Sequence, residues 1–94
     1  MANPVYVTLV ADTDTPTTLD GNYGRVEVTL VSGAATTYVN AFGVAIGAVS
    51  GTQDGNHVLT AGLTSKTIPS KTGGAATVVH LRSAGTPTVG LYGL

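Results

Sequence analysis

Tyr23-Gly24-Arg25-Val26-Glu27-Val28-Thr29-Leu30-Val31 decides the fold class of this chain. Val26, Val28 and Leu30 alternate with Arg25, Glu27 and Thr29, the period of a strand with one buried and one solvated face. Gly24 stands near the start of the run, where it suggests a bulge. Asp20-Gly21-Asn22 before it and Ser32-Gly33-Ala34 after it are turn signals, so a strand over 23–31 has both ends marked.

The same pattern recurs in both directions. Val5, Val7 and Leu9 alternate with Tyr6, Thr8 and Val10 in a first strand over 5–11, which Asp12-Thr13-Asp14-Thr15-Pro16 ends. A short strand at 17–19 follows, because Pro16 removes a ladder donor. Downstream, strands are expected over 36–42, 44–49, 57–60, 65–69, 75–82 and 88–92. Gly47 weakens the second of these, Pro69 favours an edge position for the fourth, and Lys66 and Lys71 would discourage pairing at that edge. In 75–82, Val79 and Leu81 face inward while Val78, His80 and Arg82 face out. The loop 51–56 contains Asp54-Gly55, a turn pair, and Gly73-Gly74 is another turn rather than a phosphate loop, since no lysine or helix follows it. Eight or nine short strands with turn signals every 8 to 12 residues or so predict one all-β domain over residues 1–94, an antiparallel β-sandwich, jelly-roll-like or a small barrel, without significant helix. Val7, Leu9, Val26, Val28, Leu30, Val79 and Leu81 are the expected core.

Composition narrows the function. Charged residues make up 10% of the chain and hydrophobic ones 43%, so much of its surface is Thr, Ser, Gly and Ala. A 94-residue chain without cysteine has a thin core and no disulfide staple, a situation in which small domains commonly gain stability from oligomerisation. Four Lys+Arg and a net charge of −1 cannot neutralise a row of phosphates, which argues against nucleic acid. Met1-Ala2-Asn3-Pro4 has no basic or long apolar region and no run reaches the ~20 residues of a membrane span, so a soluble, unprocessed product without membrane partner is expected.

Candidate chemistry is sparse. Asp12, Asp14 and Asp20 could offer oxygens to calcium, but the spacing and bidentate acid of an EF-hand are missing and turn capping is the better reading. His57 and His80, without cysteine, are too few for a zinc site, and His80 is expected on a solvated or interface face beside Arg82. No nucleophile elbow accompanies them, and Glu27 with Asp54 has nothing to support a glycosidase pair. The chain therefore reads as a non-enzyme with no cofactor and no metal site. Tyr6, Tyr23, Tyr38 and Tyr92 suit interfaces or the core periphery better than a carbohydrate platform, since tryptophan is absent.

Asp14-Thr15-Pro16-Thr17-Thr18-Leu19, Val26-Glu27-Val28-Thr29 and Val78-Val79-His80-Leu81-Arg82-Ser83-Ala84-Gly85-Thr86-Pro87-Thr88-Val89 together resemble small head proteins of tailed bacteriophages, notably those of actinobacterial hosts. The resemblance implies a decoration or cement protein. Such a protein is made in the host cytoplasm and resides on the virion, where it binds the major capsid protein outside the expanded shell, often as a homotrimer, and clamps neighbouring capsomers. The chain ends and aromatic faces, namely Asn3, Pro4, Tyr6, Tyr38, Phe42, Tyr92 and Leu94, are the expected contacts with neighbours. The rival reading is a carbohydrate- or surface-binding β-module of a phage fibre or secreted protein.

Overall fold

The computed structural model describes residues 5–48, 51, 56–60, 65–71 and 76–94. Eight strands are seen there: β1 (Val5–Thr8), β2 (Thr15–Leu19), β3 (Arg25–Ser32), β4 (Thr37–Asn40), β5 (His57–Leu59), β6 (Ser65–Pro69), β7 (Thr77–Ser83) and β8 (Thr88–Gly93). They form two four-stranded antiparallel sheets, ordered β1-β8-β3-β6 and β2-β7-β4-β5. The pairs β1·β8, β2·β7, β3·β6 and β4·β5 are nested like one long hairpin. Pairing β8 with β3 and β7 with β4 rolls that hairpin into the two layers of a jelly roll.

Alternation in the sequence places the core between the layers. Val26, Val28, Leu30, Ile68, Val89 and Leu91 from one sheet meet Leu19, Val39, Leu59, Val79 and Leu81 from the other, with Leu9 and Ala41 joining them. Six of the seven expected core residues are buried; Val7 is only half-buried, because β1 is an edge strand and its inward face lies at the rim of the sandwich. Tyr23 also packs against the core. Its hydroxyl donates to the Asp20 carbonyl (2.8 Å), its backbone N–H donates to Thr77 Oγ1 (3.0 Å), and its carbonyl accepts from the Ser70 hydroxyl. The ring lies directly on Gly93, where an added Cβ would come within 2.3 Å of it.

Several boundaries differ from the sequence expectation. Gly24 lies just outside β3, and the irregularity falls at Val31, where the register with β8 shifts between Leu30 and Ser32. Pro16 is inside β2 rather than before it, which an edge strand tolerates when the proline nitrogen faces away from the ladder. The expected strand over 36–42 shortens to Thr37–Asn40. No strand forms over 44–48, the described part of the expected 44–49 strand.

That last segment is held by side chains instead of a ladder. Asn40 Oδ1 accepts from the backbone N–H groups of Phe42 (3.2 Å) and Val44 (3.3 Å), while its Nδ2 donates to the Val44 carbonyl (2.6 Å). Asp14 Oδ1 accepts the Ile46 N–H (3.0 Å), and Arg82 Nη1 donates to the Ile46 carbonyl (2.8 Å). Both backbone groups of Ile46 are thereby satisfied without a neighbouring strand. Ile46 is 2% exposed yet stands apart from the main core cluster, as a satellite beneath the strap that residues 41–48 form.

Candidate docking face

The outer surface of the β1-β8-β3-β6 sheet exposes apolar side chains around a shallow groove. Tyr6 faces Gly90 across β1 and β8, Gly90 faces Thr29 across β8 and β3, and Glu27 faces Tyr92. Gly90 has no side chain, so the Tyr6 ring and Val31 close over it: a Cβ there would lie 3.1 Å from Tyr6 Cε1 and 3.3 Å from Val31 Cγ2. This is an aromatic ring covering a strand glycine, an arrangement that restores the packing the glycine lacks. Around it runs a groove of about 360 Å³ lined by Tyr6, Glu27, Thr29, Val31, Gly90, Leu91 and Tyr92. Tyr6 is 62% exposed and Val31 52% exposed, while Tyr92 is half-buried. Glu27 is the one charged side chain in the lining.

Of the residues expected to make contacts, the fold brings Tyr6 and Tyr92 together in this groove. Tyr38 lies in β4 of the other sheet, half-buried, and Phe42 is exposed on the strap that follows it. Leu94 is exposed at the end of β8, with its N–H donated to the Arg25 carbonyl (2.9 Å). Asn3 and Pro4 lie outside the described residues, as do Asp54 and the Gly73-Gly74 pair. Val31 continues the outward parity of Arg25, Glu27 and Thr29, so the alternation already places it on this face, but a single valine at the end of a strand does not by itself mark a surface.

The polar candidates have structural partners. Asp14 receives His80 Nδ1 at 3.1–3.2 Å as well as the Ile46 N–H, so His80 shares the outer parity of Arg82 on β7, as expected, but is covered there by a carboxylate rather than solvated. Arg82 Nε donates to Asp12 Oδ1 (2.9 Å) and its Nη2 donates to the Asp12 carbonyl (2.6 Å). Asp12 and Asp14 thus do more than cap turns: they tie the β1–β2 connection and the strap to the outer face of β7. His57, on the edge strand β5, has its pKa pushed below the usual 6.5, first by burial and then by the nearby Lys66 ammonium. Among the described residues no three His, Asp or Glu side chains gather as metal ligands, and no helix is long and apolar enough to cross a membrane.

The chain matches no family model, no curated protein and no solved structure.

Proposed function

We propose that this chain is a non-enzymatic structural protein of a tailed-phage head, a decoration or cement protein that binds the major capsid protein on the outside of the expanded shell. The observation that carries the reading is the Tyr6–Gly90–Val31–Tyr92 face. It is a sheet surface on which two tyrosines and a valine stand around a groove of about 360 Å³, and aromatic side chains of this kind dominate interface energetics. Low charge and a core built from short strands support a protein that works in contact with others. The sandwich architecture agrees with what the sequence resemblance implies, although jelly rolls host many functions and the fold alone names none.

Clamping requires each copy to touch more than one capsid subunit, so that modest contacts add through effective concentration. A homotrimer supplies that geometry through its threefold axis. Binding only the expanded lattice then draws the shell away from opened states by mass action. The face that holds Tyr6 would meet the shell, and Phe42 and Leu94, at other places on the surface, would serve neighbouring copies.

A second reading rests on the same groove. Two tyrosines and Glu27 around a shallow apolar floor would also suit a sugar ring, which stacks on aromatic faces and donates hydroxyls to a carboxylate. Co-sedimentation of purified protein with empty expanded capsids, run beside a glycan array, separates the two. Capsid binding that Tyr6→Ala weakens is the expected result. Glycan binding without capsid binding would overturn the capsid reading in favour of the surface-binding module.

A further inference from the structure

From the main-chain geometry of β1 we infer that the edge of this strand left unpaired among the described residues pairs with the same strand of a second copy about a twofold axis, joining two sandwiches through one continuous eight-stranded sheet. The inference goes beyond the capsid reading and needs no capsid.

The direction of the backbone groups sets the argument. The Leu9 N–H donates to the Pro87 carbonyl (2.9 Å), and the register continues through Thr8↔Thr88, Val7↔Val89, Tyr6↔Gly90 and Val5↔Leu91. Opposed residues in an antiparallel pair alternate between bonded and non-bonded positions, so Val7 and Val5 bond to β8 while Tyr6 and Thr8 turn their N–H and C=O groups to the open edge. The other side of β8 agrees. The Leu94 N–H donates to the Arg25 carbonyl (2.9 Å), which assigns Tyr92 and Gly90 to β3 and leaves Leu91 and Val89 for β1.

The remaining edges are closed to strand addition or very short. The Ser70 N–H donates to the Gly24 carbonyl, so Pro69 and Thr67 face outward on β6, and Pro69 offers no donor there. Lys66 has the same inward parity as Ile68, and an inward-pointing charge on an edge strand also discourages pairing. β2 carries a proline, Pro16, a residue that offers no donor, and β5 has only three residues. Val5-Tyr6-Val7-Thr8 contains neither proline nor charge. Strand pairing between copies needs an unblocked edge on each side, and β1 is its own best match.

The match is self-complementary. With the axis at Val7, Tyr6 of one copy stands opposite Thr8 of the other and the reverse, and both are outward-bonding positions. Four hydrogen bonds result, Val7 meets Val7 of the second copy on the inner face, and each Tyr6 ring lies beside the second copy's Thr8 on the outer face. A four-residue edge is far smaller than the ~20–30 residues a side of a stable interface, so the pair forms at high protein concentration or where copies are held side by side.

Sedimentation of the wild-type chain should show its mass rising with concentration from 9.4 kDa towards twice that value. Thr8→Pro removes an outward N–H that β8 does not use and deletes two of the four intermolecular bonds, weakening association roughly 10- to 100-fold. Thr8→Ala keeps the N–H and should dimerise like the wild type. Amide exchange of the wild-type protein gives a readout free of any folding defect: the Tyr6 and Thr8 amides should slow as concentration rises. A mass that stays at 9.4 kDa, a trimer untouched by Thr8→Pro, or Tyr6 and Thr8 amides indifferent to concentration would each overturn the inference.

Discussion

Replacing Arg82 with alanine should loosen the strap over 41–48 while leaving the sandwich beneath it intact. The Arg82 guanidinium makes three contacts, to Asp12 Oδ1 (2.9 Å), the Asp12 carbonyl (2.6 Å) and the Ile46 carbonyl (2.8 Å). The ion pair itself contributes little, since the Asp12 side chain is 48% exposed and a pair so open to water is worth about 0.2–1 kcal/mol. The Ile46 carbonyl contact weighs most, because it is partly buried and a charged donor there contributes about 1.5–3 kcal/mol, whereas the Asp12 carbonyl contact is exposed and adds less, and the three are not additive. A loss of about 2–4 kcal/mol follows for Arg82→Ala, and Asp12→Ala should cost under about 1 kcal/mol through its side chain alone. Denaturant titration gives the total, and hydrogen exchange at the Ile46 amide, held by Asp14 Oδ1, reports on the strap. Exchange at Ile46 should accelerate in Arg82→Ala while the Val28 and Leu81 amides change only with global stability. An unchanged midpoint together with unchanged Ile46 protection would refute the assignment of Arg82 as the clasp.

Val28 is fully buried opposite Leu91 and Lys66, so Val28→Ala should lower stability by about 1–3 kcal/mol in the same titration with no change in slope. His57 binds its proton less readily in the folded chain than in the unfolded one, so its contribution is complete above pH 6.5 and is lost as pH falls from there through the lowered folded value. His57→Gln should therefore flatten the decline in melting temperature below pH 6.5, measured by calorimetry against wild type. Deleting Met1 to Pro4 should weaken capsid binding in the sedimentation assay while the circular-dichroism spectrum stays that of the intact β-domain. Particles assembled without the protein should have normal geometry and release DNA at a lower temperature, read by dye accessibility on heating.

Strands β3, β6 and β7 are legible in the sequence because each is a sheet element with a dry side and a wet side, and the alternation of Val26, Val28 and Leu30 or of Val79 and Leu81 records that directly. The strap misleads for the same reason. Val44, Ile46 and Ala48 alternate as a strand would, yet the backbone of Ile46 is satisfied by Asp14 and Arg82, which lie 32 and 36 residues away in sequence. Pairing of Asp14 with His80 and of Asp12 with Arg82, across 66 and 70 residues, depends on β2 lying beside β7 and has no local signature. The docking face is half-legible: Tyr6 and Tyr92 stand out as outward aromatics and Val31 follows the outward parity of Glu27 and Thr29, but their meeting around Gly90 follows from the register of β8 with β1 and β3.

The nested order of strands also dictates when this protein can fold. Among the described residues β1 has no sheet partner other than β8, and β3 takes its two neighbours from β6 and β8, so the sheet with the groove stays incomplete until Thr88–Gly93 has been synthesised. Val5 must close on Leu91, a loop of nearly the whole chain, and such distant pairings make folding slow. During translation the nascent chain can bring β4 and β5 together first, then pair β3 with β6 and β2 with β7, while β1 and the β8 side of β3 wait for their partner. Those two strand edges stay unpaired until β8 has emerged, which makes the speed of that closure a selectable property of the sequence, separate from the stability of the finished fold.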